Sequence, residues 1–217
     1  MSSHKLGRKY EIRKPYRFIY IFTEGEKTEV NYFEAKKEEI FSDVRRKNIC
    51  IEIMGTGYNT MSIVDYAIDF LMKNKVNVDS SESEDECWVV FDRDDFKKDF
   101  DNAISRAEAN NIQVAYSNES FELWYLLHFS YFSSAVKRSI YISKLTEKLK
   151  EITGDKKTKY EKNSVNMYSF IKDKENDAIK NAKKLLKLHE TEKAISKKEP
   201  STSVFLLVES LNKLKLE

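Results

Sequence analysis

The sequence is poor in the residues on which several common kinds of protein depend. Its 217 residues include 2 cysteines, 2 prolines, 5 glycines and 3 histidines. Cys50 and Cys87 sit in separate apolar stretches, which excludes a disulfide framework or a zinc ribbon and fits buried free thiols in a reducing cytoplasm. So little proline and glycine leaves no room for a loop-rich all-β fold. So few histidines give histidine-based catalysis little to draw on. No stretch approaches the ~20 apolar residues of a membrane span. The basic residues 1–17 are followed by no signal-type apolar run and cleavage site. Net charge is scarce too: 38 Lys+Arg against 36 Asp+Glu leave +2, which excludes a uniformly basic coat for nucleic acid.

What is present is 41% hydrophobic and 12% aromatic residues, too apolar for a disordered chain. The length suits one domain, or one domain with an appendage. The near-zero charge is a cancellation of separated blocks. Residues 79–95 carry 8 acids and 1 arginine, residues 137–198 carry 18 basic residues against 9 acids, and residues 1–17 carry 6 basic residues against 1 acid. A cation-hungry acidic rim beside basic helices suits a polyanionic substrate brought to a metal.

The first 117 residues alternate between two periodicities. Residues 17–22 (RFIYIF), 50–54 (CIEIM), 87–91 (CWVVF) and 112–116 (IQVAY) are β-branched or aromatic and read as strands. Between them, residues 28–46, a segment opening at Asn59 or Thr60 and running through Leu71, and residues 96–109 read as amphipathic helices. Residues 77–86 are serine- and acid-rich and read as a surface loop. Strand and helix at this spacing predict right-handed crossovers and a parallel sheet with both faces covered. Residues 121–129 are apolar almost all round, as in a buried helix. From residue 131 onward no strand is expected. Helical periodicity returns at 140–152, 167–189 and 204–216, and residues 154–163 (GDKKTKYEKN) read as a mobile basic loop. The expected organisation is a basic arm (1–16), an α/β domain (17–130) and a Lys-rich helical extension packed on it (131–217).

In an open parallel sheet, ligands bind outside the carboxyl ends of the strands. The first strand runs into Thr23-Glu24-Gly25-Glu26-Lys27 and the third into Asp92-Arg93-Asp94-Asp95, two acidic ends on one rim. Asp92 and Asp94, two apart in extended chain, point to one face with Cα atoms ~7 Å apart. With Glu24 they would repel unless a cation intervened. Mg²⁺ suits such a place, since it takes one or two carboxylates and leaves positions for water and phosphate. The plainer alternative is a polar turn in which an Asp caps the helix at Phe96. Gly55-Thr56-Gly57 lacks the remainder of a phosphate-binding loop and reads as a tight turn. Glu122, in the first turn of the buried helix, either favours the helix dipole or reaches toward the metal. Glu29 and Asp95 stand behind it as further candidates. His128 lies about 120° around the helix from Glu122 and reads as a structural histidine.

These residues resemble the RloB family. The resemblance rests on Thr23 to Glu29 with Asn31-Tyr32-Phe33, on Phe91 to Phe96, on Phe121-Glu122-Leu123-Trp124 with Leu127-His128-Phe129, and on Ser201 to Val204 with Leu207-Val208-Glu209. The family carries a Pro where this chain has Glu119. The resemblance implies a Toprim-like α/β domain, a four-stranded parallel sheet flanked by helices, with a helical C-terminal extension. It implies a nuclease centre in which Glu24, Asp92 and Asp94 are catalytic and bind Mg²⁺ (or Mn²⁺). Glu122 would be a further metal ligand, and Glu24 either binds metal or acts as general acid/base. Lys27, Arg93, Asn118 and Ser203 are expected to contact substrate, Ser203 at the start of the last helix. The implied setting is bacterial or archaeal phage defence or abortive infection, with DNA or RNA as substrate and an ATPase from the same locus as partner. A homo-oligomer is compatible with the sequence. Two rival functions remain: a non-catalytic nucleic-acid- or nucleotide-binding regulator of the ATPase, and a structural subunit whose acids bind a stabilising metal.

Overall fold

The computed structural model describes residues 17–43, 48–93 and 97–215. The basic arm, the end of the first helix at 44–46, and Asp94, Asp95 and Phe96 lie outside the described residues. Strands β1 (Arg17–Thr23), β2 (Ile49–Gly55), β3 (Glu86–Asp92) and β4 (Gln113–Asn118) alternate with helices α1 (Thr28–Asp43), α2 (Thr60–Asn74) and α3 (Lys97–Glu108). Helices α4 (Glu122–Leu127), α5 (Arg138–Thr153), α6 (Met167–Ile171) and α7 (Glu175–Leu188) follow, then β5 (Ser201–Thr202) and α8 (Val204–Lys213). The sheet order is β2-β1-β3-β4-β5, with the first four strands parallel.

Two cores explain the continuous apolar content of the strands. Ile19, Ile21, Trp88, Val90 and Ala115 face one layer, built with α1 and helices α4 to α8. The intervening Tyr20, Phe22, Cys87, Val89, Phe91 and Tyr116 face the other, built with α2 and α3. Alternate residues of a strand point to opposite faces, and here both faces are dry. The residues after 131 therefore complete one of the sheet's two covers. Helix α2 starts where Asn59 accepts a hydrogen bond from the Ser62 amide at 2.9 Å. It stops at Lys75, in the left-handed region at φ 54°.

Three expectations are corrected. The sheet has five strands, because Ser201–Thr202 pairs antiparallel with Ser117 and Asn118. Two hydroxyl-bearing residues carry no strand periodicity. The pairing is made by tertiary contacts: the Thr202 hydroxyl donates to the Tyr116 carbonyl at 2.8 Å, and the Ser203 amide donates to it at 2.9 Å. The periodic run 167–189 is two helices, α6 and α7, joined by a 3₁₀ turn at Lys172–Lys174. Cys87 is buried, and burial pushes its thiol pKa up to about 12, but Cys50 is only half-buried. Among the described residues no helix is long and apolar enough to cross a membrane.

Candidate functional site

Hydrogen bonds close to the main chain hold the rim loop after β1 in place. The Glu24 amide donates to the Val90 carbonyl of β3 at 2.9 Å, and the Thr23 hydroxyl donates to the Gly25 carbonyl at 2.7 Å. The Thr56 and Gly57 amides donate to the carbonyls of Thr23 and Glu24 at 2.9 and 3.1 Å, so Gly55-Thr56-Gly57 is a turn that braces this loop. A Cβ on Gly55 would lie 2.8 Å from Val30 Cγ2 and 2.9 Å from the Glu26 Cα. The second of these is backbone and cannot step aside. Gly55→Ala is expected to cost about 1–3 kcal/mol, as overpacking does, read as a lower urea midpoint with an unchanged slope.

Beside this loop lies a cavity of about 330 Å³. Glu24, Lys27 and Glu29 come to it from the β1 end and α1, Asp92 from the end of β3, and Glu122 from α4. Adjacent parallel strands thus bring two of the expected carboxylates together, and Glu24 Oε2 accepts a hydrogen bond from the Asp92 amide at 3.2 Å. Glu122 is buried and accepts from the Tyr160 hydroxyl at 3.3 Å. Burial raises the pKa of Glu29, and the charge of Glu122 adds to the rise, while Lys162 and Arg138 oppose it. The Tyr160 and Tyr125 phenols are pushed upward, first by burial and then by neighbouring carboxylates, so both stay neutral donors.

Two basic residues outside every motif of the sequence also line the cavity, Arg138 and Lys162. Arg138 Nη2 donates to Asp92 Oδ2 at 2.9 Å, and its Nε lies 3.8 Å from Glu122 Oε2. Its position carries a faint signal, being the one arginine among the 18 basic residues of 137–198. It also opens a helix, where a cation opposes the dipole. Lys162 arrives on the segment expected to be a mobile loop, which is tied down instead. The Thr28 hydroxyl donates to the Lys162 carbonyl at 2.7 Å, and the Asn31 side-chain amide to the Asn163 carbonyl at 3.2 Å.

Three expected substrate contacts are not brought to the cavity. The Arg93 guanidinium is buried, donating to the Ser196 carbonyl at 3.4 Å and pairing with Glu119 and Glu199 at 3.2 and 3.1 Å. Asn118 Nδ2 donates to the carbonyls of Ile195 and Lys198, each at 2.8 Å. The Ser203 hydroxyl donates to the Val114 carbonyl at 3.0 Å and accepts from the Tyr116 amide at 2.9 Å. Strand ends that look exposed in sequence are covered by residues 195–203. His128 is buried as a structural histidine, with Nδ1 2.9 Å from the Trp124 carbonyl.

The donor set is entirely carboxylate oxygen, which suits a hard divalent ion and excludes a zinc-type N/S site. Glu24 and Asp92 meet the need of Mg²⁺ for one or two protein carboxylates. Among the described residues, however, no group of three or more His, Cys, Asp or Glu side chains is gathered as around a bound ion. Among the described residues, the Arg138 guanidinium faces Asp92 with a positive charge.

Fold and pocket define an α/β protein with an acidic cleft at the carboxyl ends of its central parallel strands, rimmed by Lys27, by Arg138 of α5 and by Lys162 of the loop that follows α5. The chain matches the RloB-like protein family over residues 19–211 and belongs to it. No curated protein and no solved structure gives a match.

Proposed function

We propose that this RloB-like protein is a Toprim-like, Mg²⁺-dependent nuclease that hydrolyses phosphodiesters of DNA or RNA. Its setting in this reading is cytoplasmic phage defence by abortive infection, together with an ATPase from the same locus. The observation that carries the reading is the meeting of Glu24 and Asp92, from adjacent parallel strands, in one cavity rimmed by Lys27, Arg138 and Lys162. Glu24 and Asp92 would hold the ion, with Glu122 lining the same cavity and Asp94 outside the described residues. A bound Mg²⁺ would polarise the phosphate and stabilise the attacking and leaving oxygens. Lys27 and Lys162 hold the backbone phosphates without reading sequence. Glu24 is the side chain placed to manage the proton of the attacking water. The neutral Tyr160 hydroxyl orients Glu122.

The test is cleavage of single- and double-stranded DNA and RNA with Mg²⁺ or Mn²⁺, with the protein alone and with its ATPase. Glu24→Gln and Asp92→Asn are expected to cut at least about tenfold more slowly than wild type, the range seen for lost acid–base or metal-site groups being larger still. Cleavage by wild type no faster than by these variants removes the nuclease reading.

One observation favours a second reading, a non-catalytic nucleic-acid-binding regulator of the ATPase. The Asp92–Arg138 ion pair supplies a positive charge to Asp92 without any metal. In that case nucleic-acid binding, measured by filter retention, is expected with no cleavage and no dependence on a divalent ion.

A further inference from the structure

Resting on the metal-site reading above, we propose that Arg138 is a built-in counter-cation that regulates the site. It occupies Asp92 until a phosphodiester draws its guanidinium away, so that the divalent ion and nucleic acid load together.

The geometry sets up the competition. Arg138 Nη2 lies 2.9 Å from Asp92 Oδ2, with Nε 3.8 Å from Glu122 Oε2, and both carboxylates line the cavity that would take the ion. A divalent ion on Asp92 would sit within a few ångströms of the guanidinium, and two cations so close in a partly buried site repel strongly. One must yield. The backbone of Arg138 is anchored, since its amide donates to Glu119 Oε1 at 2.9 Å. The side chain is 30% exposed and the Asp92 side chain 12%, so the guanidinium can swing toward solvent without moving helix α5. A phosphodiester entering between Lys27 and Lys162 offers the better partner, because a guanidinium's planar fork matches phosphate oxygens in pairs. Release of Asp92 then favours the ion. Since coupling between two ligands is reciprocal, the ion must favour nucleic acid by the same factor.

Mn²⁺ binding to the full-length protein, followed by the EPR signal of free Mn²⁺, tests this without any turnover. Without nucleic acid, Arg138→Gln is expected to bind Mn²⁺ about tenfold more tightly than wild type, and Arg138→Lys, which keeps the charge, to bind as weakly as wild type. A short phosphorothioate oligonucleotide is expected to tighten Mn²⁺ binding by wild type about tenfold more than it tightens binding by Arg138→Gln. Arg138→Met, which keeps the aliphatic stem, gives the same readout if the Gln variant does not melt cooperatively. A wild type that binds Mn²⁺, beside neutral variants that bind it no more tightly, overturns the counter-cation alone. No Mn²⁺ binding by any form, with or without oligonucleotide, overturns both the counter-cation and the metal site.

Discussion

Lys36→Ala is expected to cost about 3–5 kcal/mol of unfolding free energy, as removal of one partner of a buried ion pair does. Lys36 is 1% exposed in the middle of α1, and its Nζ lies 2.7 Å from Glu175 Oε2 at the start of α7, whose side chain is 12% exposed. Asn212 Nδ2 donates to Glu175 Oε1 at 2.8 Å, so one lysine and one amide from α8 serve this carboxylate. The pair stitches α1 to α7 across one face of the sheet. Burial is the largest influence on the lysine and lowers its pKa, although the Glu175 carboxylate opposes it. Removing the lysine alone leaves Glu175 with the amide only. Removing both charges is a different matter. Lys36→Met with Glu175→Gln keeps the volume and the Asn212 hydrogen bond, and is expected to lie within about 1 kcal/mol of wild type. Urea unfolding of the single, double and wild-type forms checks it. A single variant as stable as the double would show that the charges are already solvated.

Acid is expected to destabilise the protein through His128. Burial, opposed only partly by hydrogen bonds to the backbone of Trp124 and Tyr125, lowers its pKa from 6.5 to about 4, and Lys36 and Lys174 push the same way. The unfolded chain therefore takes up a proton on this ring below pH 6.5, while the folded chain takes it up only below about 4. Above pH 6.5 His128 has no effect on the pH dependence. As pH falls from 6.5 to 4, stability is lost, reaching about 3 kcal/mol in full from the difference in pKa. Carboxylates titrate in the same range, so the measurement is a difference. The gap in unfolding free energy between wild type and His128→Gln is expected to move by about 3 kcal/mol against wild type between pH 7 and pH 4. A gap that stays constant would mean that the ring reaches water.

The structural role of His128 is legible in the amino-acid pattern alone, because an isolated histidine on an apolar helix has no partner of its own kind. So is the meeting of Glu24 with Asp92. Both stand at the ends of strands whose parallel order follows from alternating periodicity, and the register Thr23↔Val90 leaves Asp92 projecting just beyond β1. Arg93, Asn118 and Ser203 are harder. A polar residue at a strand end looks like a ligand contact unless something covers it, and the cover is the segment 195–203, which Asn118 meets 77 and 80 residues further along and Arg93 meets 103 residues further along. Ser201–Thr202 is a strand only because β4 is beside it.

Local periodicity is written in runs of five to fifteen residues, and side-chain burial follows directly from it. The α/β alternation, the two-sided burial of the sheet and the acidic rim at its carboxyl end are therefore properties of the amino-acid order. Charge partners are set by which helix packs where, over separations that no local pattern records. The docking of α5 beside α4 puts Arg138 on Asp92 across 46 residues, and the ion pair between α1 and the start of α7 joins Lys36 to Glu175 across 139. That the acidic rim already holds a cation of its own is a product of long-range packing alone.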